Sequence, residues 1–126
     1  MNTVKVAQRT VGLPNGMSSC ECIRLMAREA AELWYPGLGE ELAAAALERE
    51  QAEPTCLGHG LAVPHARVTG LPGAAVYVAK GDGLSWSAEA VDCVALLCVP
   101  AELPELHLQL LSRVVRWRMK GGELCF

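Results

Sequence analysis

The stretch Gly58-His59-Gly60-Leu61-Ala62-Val63-Pro64-His65-Ala66-Arg67 sets an imidazole directly behind a proline and a short apolar run, with two glycines a few residues upstream. Imidazole is neutral and nucleophilic near pH 7, its reference pKa being ~6.5. Pro64 stiffens the backbone ahead of the ring, and Gly58 and Gly60 let main-chain N–H groups approach a ligand closely, as an anion-binding loop requires. A lone histidine is more often a surface or satisfied core residue, so it is this setting that marks His65 as a reactive histidine in a small pocket.

Two further residues belong beside it. His107 puts a polar ring into the apolar stripe of the last expected helix, near its first turn. Such a ring either bonds a backbone carbonyl or joins the positive helix end in stabilising an anion, and both roles can hold at once. Arg49 lies in Leu47-Glu48-Arg49-Glu50, which composition alone reads as a solvated face with local ion pairs. Near a reactive histidine its guanidinium would fork onto phosphate oxygens, which a lysine does less well.

The elements that must position these groups are legible in outline. Val4 to Ala7 reads as a short edge strand, and Leu13-Pro14-Asn15-Gly16 has the residues of a tight turn. Ser18 with Glu21 forms a capping box, after which Ile23, Met26, Ala27, Ala30 and Trp34 fall on one helical face until Pro36-Gly37. Glu40 to Glu50 is a second helix, acidic in its first turn and stopping before Pro54. The period then changes: Leu61 to Val63 is short and apolar, Ala74 to Ala79 alternates around Val76 and Val78, and Cys93 to Val99 suits a central strand. Pro104 and Glu105 open a last helix with His107, Leu110, Leu111 and Val114 on its buried stripe. Helices, strands, then a helix predict an α/β fold, a mixed sheet sandwiched between helices.

Composition narrows the class. The chain has 126 residues, 52% of them hydrophobic, which fits one domain with a real core over 1–126; no repeat, low-complexity tract or linker interrupts it. A net charge of -3 gives no general attraction to nucleic acid or anionic lipid. Arg113, Arg116 and Lys120 share a helix face that reads as a docking or solvated surface, not a nucleic-acid site. The N-terminus lacks the apolar core of a signal peptide, and the run from Cys93 to Ala101 is about half of the ~20 residues that span a bilayer. A cytoplasmic location without membrane insertion is expected. The six cysteines form no C-x-x-C pair and read as reduced structural thiols. His59, His65, His107 and a cysteine such as Cys56 lack the spacing of common zinc sites, so no metal is expected.

Taken together, Leu47-Glu48-Arg49-Glu50, Pro54-Thr55, Gly58 to Arg67 and Glu105-Leu106-His107-Leu108 occur in an order and spacing that resembles the type-2 EIIA domains of the bacterial phosphotransferase system, the fructose, mannitol and nitrogen-regulatory branch. The resemblance runs over about 18–115, and the Gly-x-Gly-Leu-Ala-Val-Pro-His-Ala-Arg stretch is its most specific part. It implies an EIIA mannitol/fructose-like sheet flanked by helices, with no metal or organic cofactor. It also implies a phosphocarrier: His65 matches the histidine phosphorylated by HPr, itself charged from phosphoenolpyruvate by Enzyme I. His107 matches the second active-site histidine, Arg49 the arginine near it, and Gly58, Gly60 and Thr55 fall where phosphate-binding backbone and hydroxyl groups are expected. His59 occupies a variable position and receives no role. Members usually carry Ser-Thr where this chain has Pro54-Thr55, and they generally continue with another helix beyond the point where this sequence ends at Phe126; lacking it would expose apolar surface and favour a homodimer or marginal stability. The acceptor is either an EIIB component in sugar uptake or, in the nitrogen-type alternative, regulated proteins whose binding depends on phosphorylation.

Overall fold

The computed structural model describes residues 3–87 and 89–124. Helix α1, Ser19–Trp34, begins with a complete capping box: the Glu21 N–H donates to Ser18 Oγ while the Ser18 N–H donates to the Glu21 carboxylate. This satisfies two of the N–H groups that a helix start leaves without partners. Its buried face carries Ile23, Met26, Ala27 and Ala30, as the helical spacing predicts. Trp34 is only half-buried, resting edge-on against Tyr77 at 6.0 Å between ring centroids. Helix α2, Gly39–Ala52, has Glu40 and Glu41 in its first turn and Arg49 in its last, each sign placed to suit the helix dipole.

Five strands form one mixed sheet: β1 Val4–Gln8, β2 Leu61–Ala62, β3 His65–Val68, β4 Ala74–Trp86 and β5 Glu89–Pro100. The apolar run from Cys93 to Val99 does lie centrally. On one side β5 pairs antiparallel with β4, and on the other it pairs in parallel with β2 and then β3, which follow each other as one broken edge strand. The parallel partner of β4 is β1, at the opposite edge.

Residues 74–79 are buried on both faces and not on alternate positions, because helices cover both sides of the sheet. Ala75, Tyr77 and Ala79 pack under α1 and α2 with Val94, Leu96 and Cys98. Ala74, Val76 and Val78 pack on the other side with Ala95, Leu97 and Val99. The β4–β5 hairpin also runs further than the apolar pattern predicts, since among the described residues its outer half is mostly exposed and only Leu84, Trp86 and Val91 reach the core.

The second face is covered by α3, Pro104–Lys120, with proline in its first turn. Its buried stripe is Leu106, Leu110 and Val114. His107 and Leu111 sit at the margin of that stripe and not in its centre, because the sheet contact is set by the i, i+4 row starting at Leu106. Cys22, Cys93 and Cys98 are buried, Cys56 is half-buried and Cys20 is exposed, all as free thiols; Cys125 lies outside the described residues. No helix among the described residues is long and apolar enough to cross a membrane.

Candidate active site

The segment leading to His65 is built by backbone hydrogen bonds. Gly58, His59 and Gly60 all take positive φ, and the turn they make lets the Leu61 N–H reach the Gly58 carbonyl and the Leu57 N–H reach the Leu61 carbonyl. The Val63 N–H then donates to the Thr55 carbonyl. Pro64 has no N–H to give, and its carbonyl accepts from Leu97 at 2.9 Å, passing the chain from β2 into β3. In β3, His65 stands beside Leu97 and Arg67 beside Val99. Leu97 and Val99 face α3, so alternation along the strand turns His65 and Arg67 to that face and sends Ala66 the opposite way, under α1 and α2.

Two helix ends meet this edge strand. The first turns of α3 bring His107 to His65, with ring centroids 4.3 Å apart and planes at 74°. The last turn of α2 brings Arg49, whose Nη1 donates to the Glu53 carbonyl at 2.7 Å and so caps its own helix. Arg49, Glu48, His65, Arg67 and His107 line an open pocket of about 370 Å³.

The electrostatics keep both rings neutral. Burial is the main cause holding His65 down at about 4, aided by His107 and Arg49, while the Val63 carbonyl pulls weakly the other way. His107 is also lowered, first by burial, then by the Arg67 and Arg49 guanidiniums. His65 is 6% exposed, and its Nδ1, like Nε2 of His107, is buried without a hydrogen-bond partner of good geometry. With Nδ1 sealed, Nε2 is the His65 nitrogen left to serve the pocket. A neutral, desolvated imidazole beside a second one and two arginines is suited to accepting an anionic electrophile such as a phosphoryl group.

His65, His107 and Arg49 are thus brought together, whereas Gly58, Gly60 and Thr55 are not among the residues lining the pocket. The Gly60 carbonyl accepts from the Asp92 and Cys93 N–H groups, and Arg118 near the end of α3 bonds the His59 carbonyl and Asp92. Arg118 lies eleven residues beyond His107 on one helix, roughly 16 Å along its axis. The glycine turn therefore shapes the approach to β2 at the far end of α3. Thr55 is 2% exposed and bonded inward: its N–H and hydroxyl both donate to the Glu50 carboxylate at 2.7 Å. Trp86 Nε1 donates to the same carboxylate at 2.9 Å, so Glu50 ties the loop after α2 to the β4–β5 hairpin.

Sequence reasoning left Arg67 without a role, although the period of two along a strand starting at His65 points to it. The Glu50 clamp had no comparable signal, because Trp86 is distant in sequence. Arg113, Arg116 and Lys120 do share one surface: with Leu108 and Trp117 they line a groove of about 700 Å³ on the outer side of α3. Among the described residues, no histidine or cysteine lines that groove.

The family model described as phosphoenolpyruvate-dependent sugar phosphotransferase system, EIIA 2, matches residues 8–123. Over 110 residues the chain is 37% identical to the PTS system 2-O-alpha-mannosyl-D-glycerate-specific EIIABC component of Escherichia coli (strain K12). That match takes in 82% of this chain but only 17% of the relative's length. Among solved structures, the fold is similar to nitrogen regulatory protein IIA-Ntr from Neisseria meningitidis, with a TM-score of 0.70 and 19% identity over 97% of this chain and 88% of that one. It is also similar to a chain in the complex of enzyme IIAMtl and phosphorylated enzyme IIBMtl from Escherichia coli, with a TM-score of 0.62 and 16% identity over 93% of this chain and 81% of that one.

Proposed function

The chain belongs to the EIIA type-2 family of the phosphoenolpyruvate-dependent sugar phosphotransferase system, and from that premise we propose that it is a cytoplasmic phosphohistidine carrier, taking a phosphoryl group from phospho-HPr on His65 and passing it to an EIIB component. The observation that carries this reading is the pairing of a neutral, largely buried His65 with His107 at 4.3 Å, beside Arg49.

In the step proposed, the lone pair of His65 Nε2 attacks phosphorus in line. The P–N bond to the donor ring breaks as the new P–N bond forms, and the electron pair stays on the departing imidazole. Each ring keeps the proton on its other nitrogen, so no proton need cross between the proteins; the Val63 carbonyl is the group at hand for the His65 N–H. One P–N bond replaces another, so the chain has little bond energy to supply. Positioning and charge stabilisation are what remain, and His107 and Arg49 provide both.

Likeness to a sugar-specific component at 37% identity favours transfer to an EIIB over the regulatory, nitrogen-type role. The likeness to IIAMtl, seen in complex with phosphorylated IIBMtl, is in keeping with an EIIB partner. The test is intact-mass analysis after incubation with phosphoenolpyruvate, Enzyme I and HPr. One acid-labile phosphoryl group is expected on the native chain and none on His65→Ala; an unmodified native chain would overturn the reading. Subsequent loss of the label to an added EIIB separates transport from regulation.

A further inference from the structure

We propose that Arg67 is a second phosphoryl-gripping catalytic residue, holding the group on His65 from the strand side while Arg49 holds it from the α2 side. This assignment rests on the reading of His65 as the phosphoryl acceptor.

Placement comes first. Arg67 is two residues beyond His65 on β3, in register with Val99 as His65 is with Leu97, so both side chains leave the strand on the α3 face and line one pocket. Among the described residues Arg67 makes no hydrogen bond or ion pair. It is nonetheless close enough to His107 to be the leading charge that keeps that ring neutral. An exposed arginine without a partner on a sheet edge is ordinary; one aimed with a second arginine at two neutral imidazoles is not.

The charge requirement then decides its role. A phosphoryl group carries close to two negative charges near pH 7. Both imidazoles are neutral in the resting pocket, so among the described residues lining it the full positive charges are the guanidiniums of Arg49 and Arg67. Arg49 brings one, with Nη1 already given to the Glu53 carbonyl. Glu48, the carboxylate on the α2 wall, adds charge of the wrong sign but is exposed. Arg67 makes the second positive charge, and its planar fork matches two phosphoryl oxygens. Throughout the transfer Arg67 forms and breaks no covalent bond: phosphorus moves from the donor nitrogen to His65 Nε2, and the electron pair of the broken bond stays with the donor.

The two arginines also differ in freedom. Arg49 is anchored by its carbonyl bond at a helix end, whereas Arg67 is exposed and unattached on an edge strand. Arg67 is therefore the one able to follow the phosphoryl group as it arrives from a donor or departs to an acceptor.

Single-turnover phosphorylation by phospho-HPr, read by intact mass, tests this with the native chain, Arg67→Gln and Arg67→Lys, each first checked for an unchanged urea midpoint. Arg67→Gln is expected to slow transfer by at least ~10-fold and Arg67→Lys to recover part of the loss. In parallel, inorganic phosphate is titrated while the His65 and His107 ring resonances are followed by NMR; the native chain is expected to respond and Arg67→Gln to lose the response. Native-like transfer by Arg67→Gln overturns the role of Arg67 alone. A native chain that takes no phosphoryl group overturns the reading of His65 instead, and the phosphate titration then judges Arg67: equal responses in the two proteins refute its anion grip.

Discussion

The rings of His65 and His107 meet edge to face at 4.3 Å, and each hides a nitrogen without a hydrogen bond of good geometry: Nδ1 in His65, Nε2 in His107. Buried polar atoms without partners cost stability, commonly ~1–3 kcal/mol each. The fully buried part of the α3–sheet interface is made by Leu106, Leu110 and Val114. The pair sits in a pocket that Arg49 and Arg67 also line.

Stability should fall on the acid side because of His65. Its ring titrates near 4 in the fold against about 6.5 in the unfolded chain, so between those values the unfolded state binds the extra proton. The stabilisation is fully present above pH 6.5, declines as pH drops toward 4 and is gone below it, amounting to at most about 3 kcal/mol. Urea unfolding at pH 7 and pH 4.5 should show a smaller loss for His65→Gln than for the native chain. Equal losses would mean that His65 is not held neutral.

Replacing His107 should act on both chemistry and titration. Its charge is one of the causes that lower His65, after burial. In His107→Gln the His65 ring is expected to titrate higher, though still below 6.5 because burial remains. Phosphoryl transfer should slow on the order of 10²-fold, as for loss of one preorganised donor. NMR titration of the His65 ring reads the first effect and single-turnover kinetics the second; a His65 titration that does not move would place His107 outside its electrostatic surroundings.

Glu50 should behave as the clamp of the loop that follows α2. Its carboxylate accepts from the Thr55 N–H, the Thr55 hydroxyl and Trp86 Nε1, and both donor residues are buried. Glu50→Ala strands these donors and is expected to cost about 2–4 kcal/mol. Glu50→Gln keeps one acceptor oxygen and should lose roughly half as much. Chemical denaturation measures the cost, and a shift in tryptophan emission reports the freed indole. An unchanged midpoint in Glu50→Ala would show that the loop is held by other contacts.

Much of this was readable without coordinates where a residue's role follows from its neighbours in sequence. The Ser18–Glu21 box, the central strand around Cys93 to Val99, and His65 behind Pro64 are local signals, and the structure contains each feature. The gathering of His65, His107 and Arg49 joins three elements, and it was anticipated from family resemblance rather than from spacing. What sequence alone did not place were long-range choices. The α3 stripe is centred on Leu106, not His107, because the register of a helix against a sheet is a packing outcome. Glycine at positive φ suits both anion nests and tight turns, and composition does not distinguish the two.

Those glycines allow a direct test of the difference. Gly60 has φ +70 and a Cβ there would come within 2.5 Å of Asp92 Oδ1, in the knot that Arg118 ties at the end of α3. Gly58 has φ +82 with open space around it, so a methyl group meets backbone strain alone. Gly60→Ala is therefore expected to lose about 2–3 kcal/mol and Gly58→Ala about 1 kcal/mol. Neither should slow phosphorylation of His65 more than about twofold in the fraction that stays folded, because the turn sits at the far end of α3 from His107. Urea midpoints and single-turnover kinetics on the same samples decide it. A large kinetic defect in Gly58→Ala with little loss of stability would return the glycine amides to the phosphoryl group and require the turn to move toward the pocket during transfer.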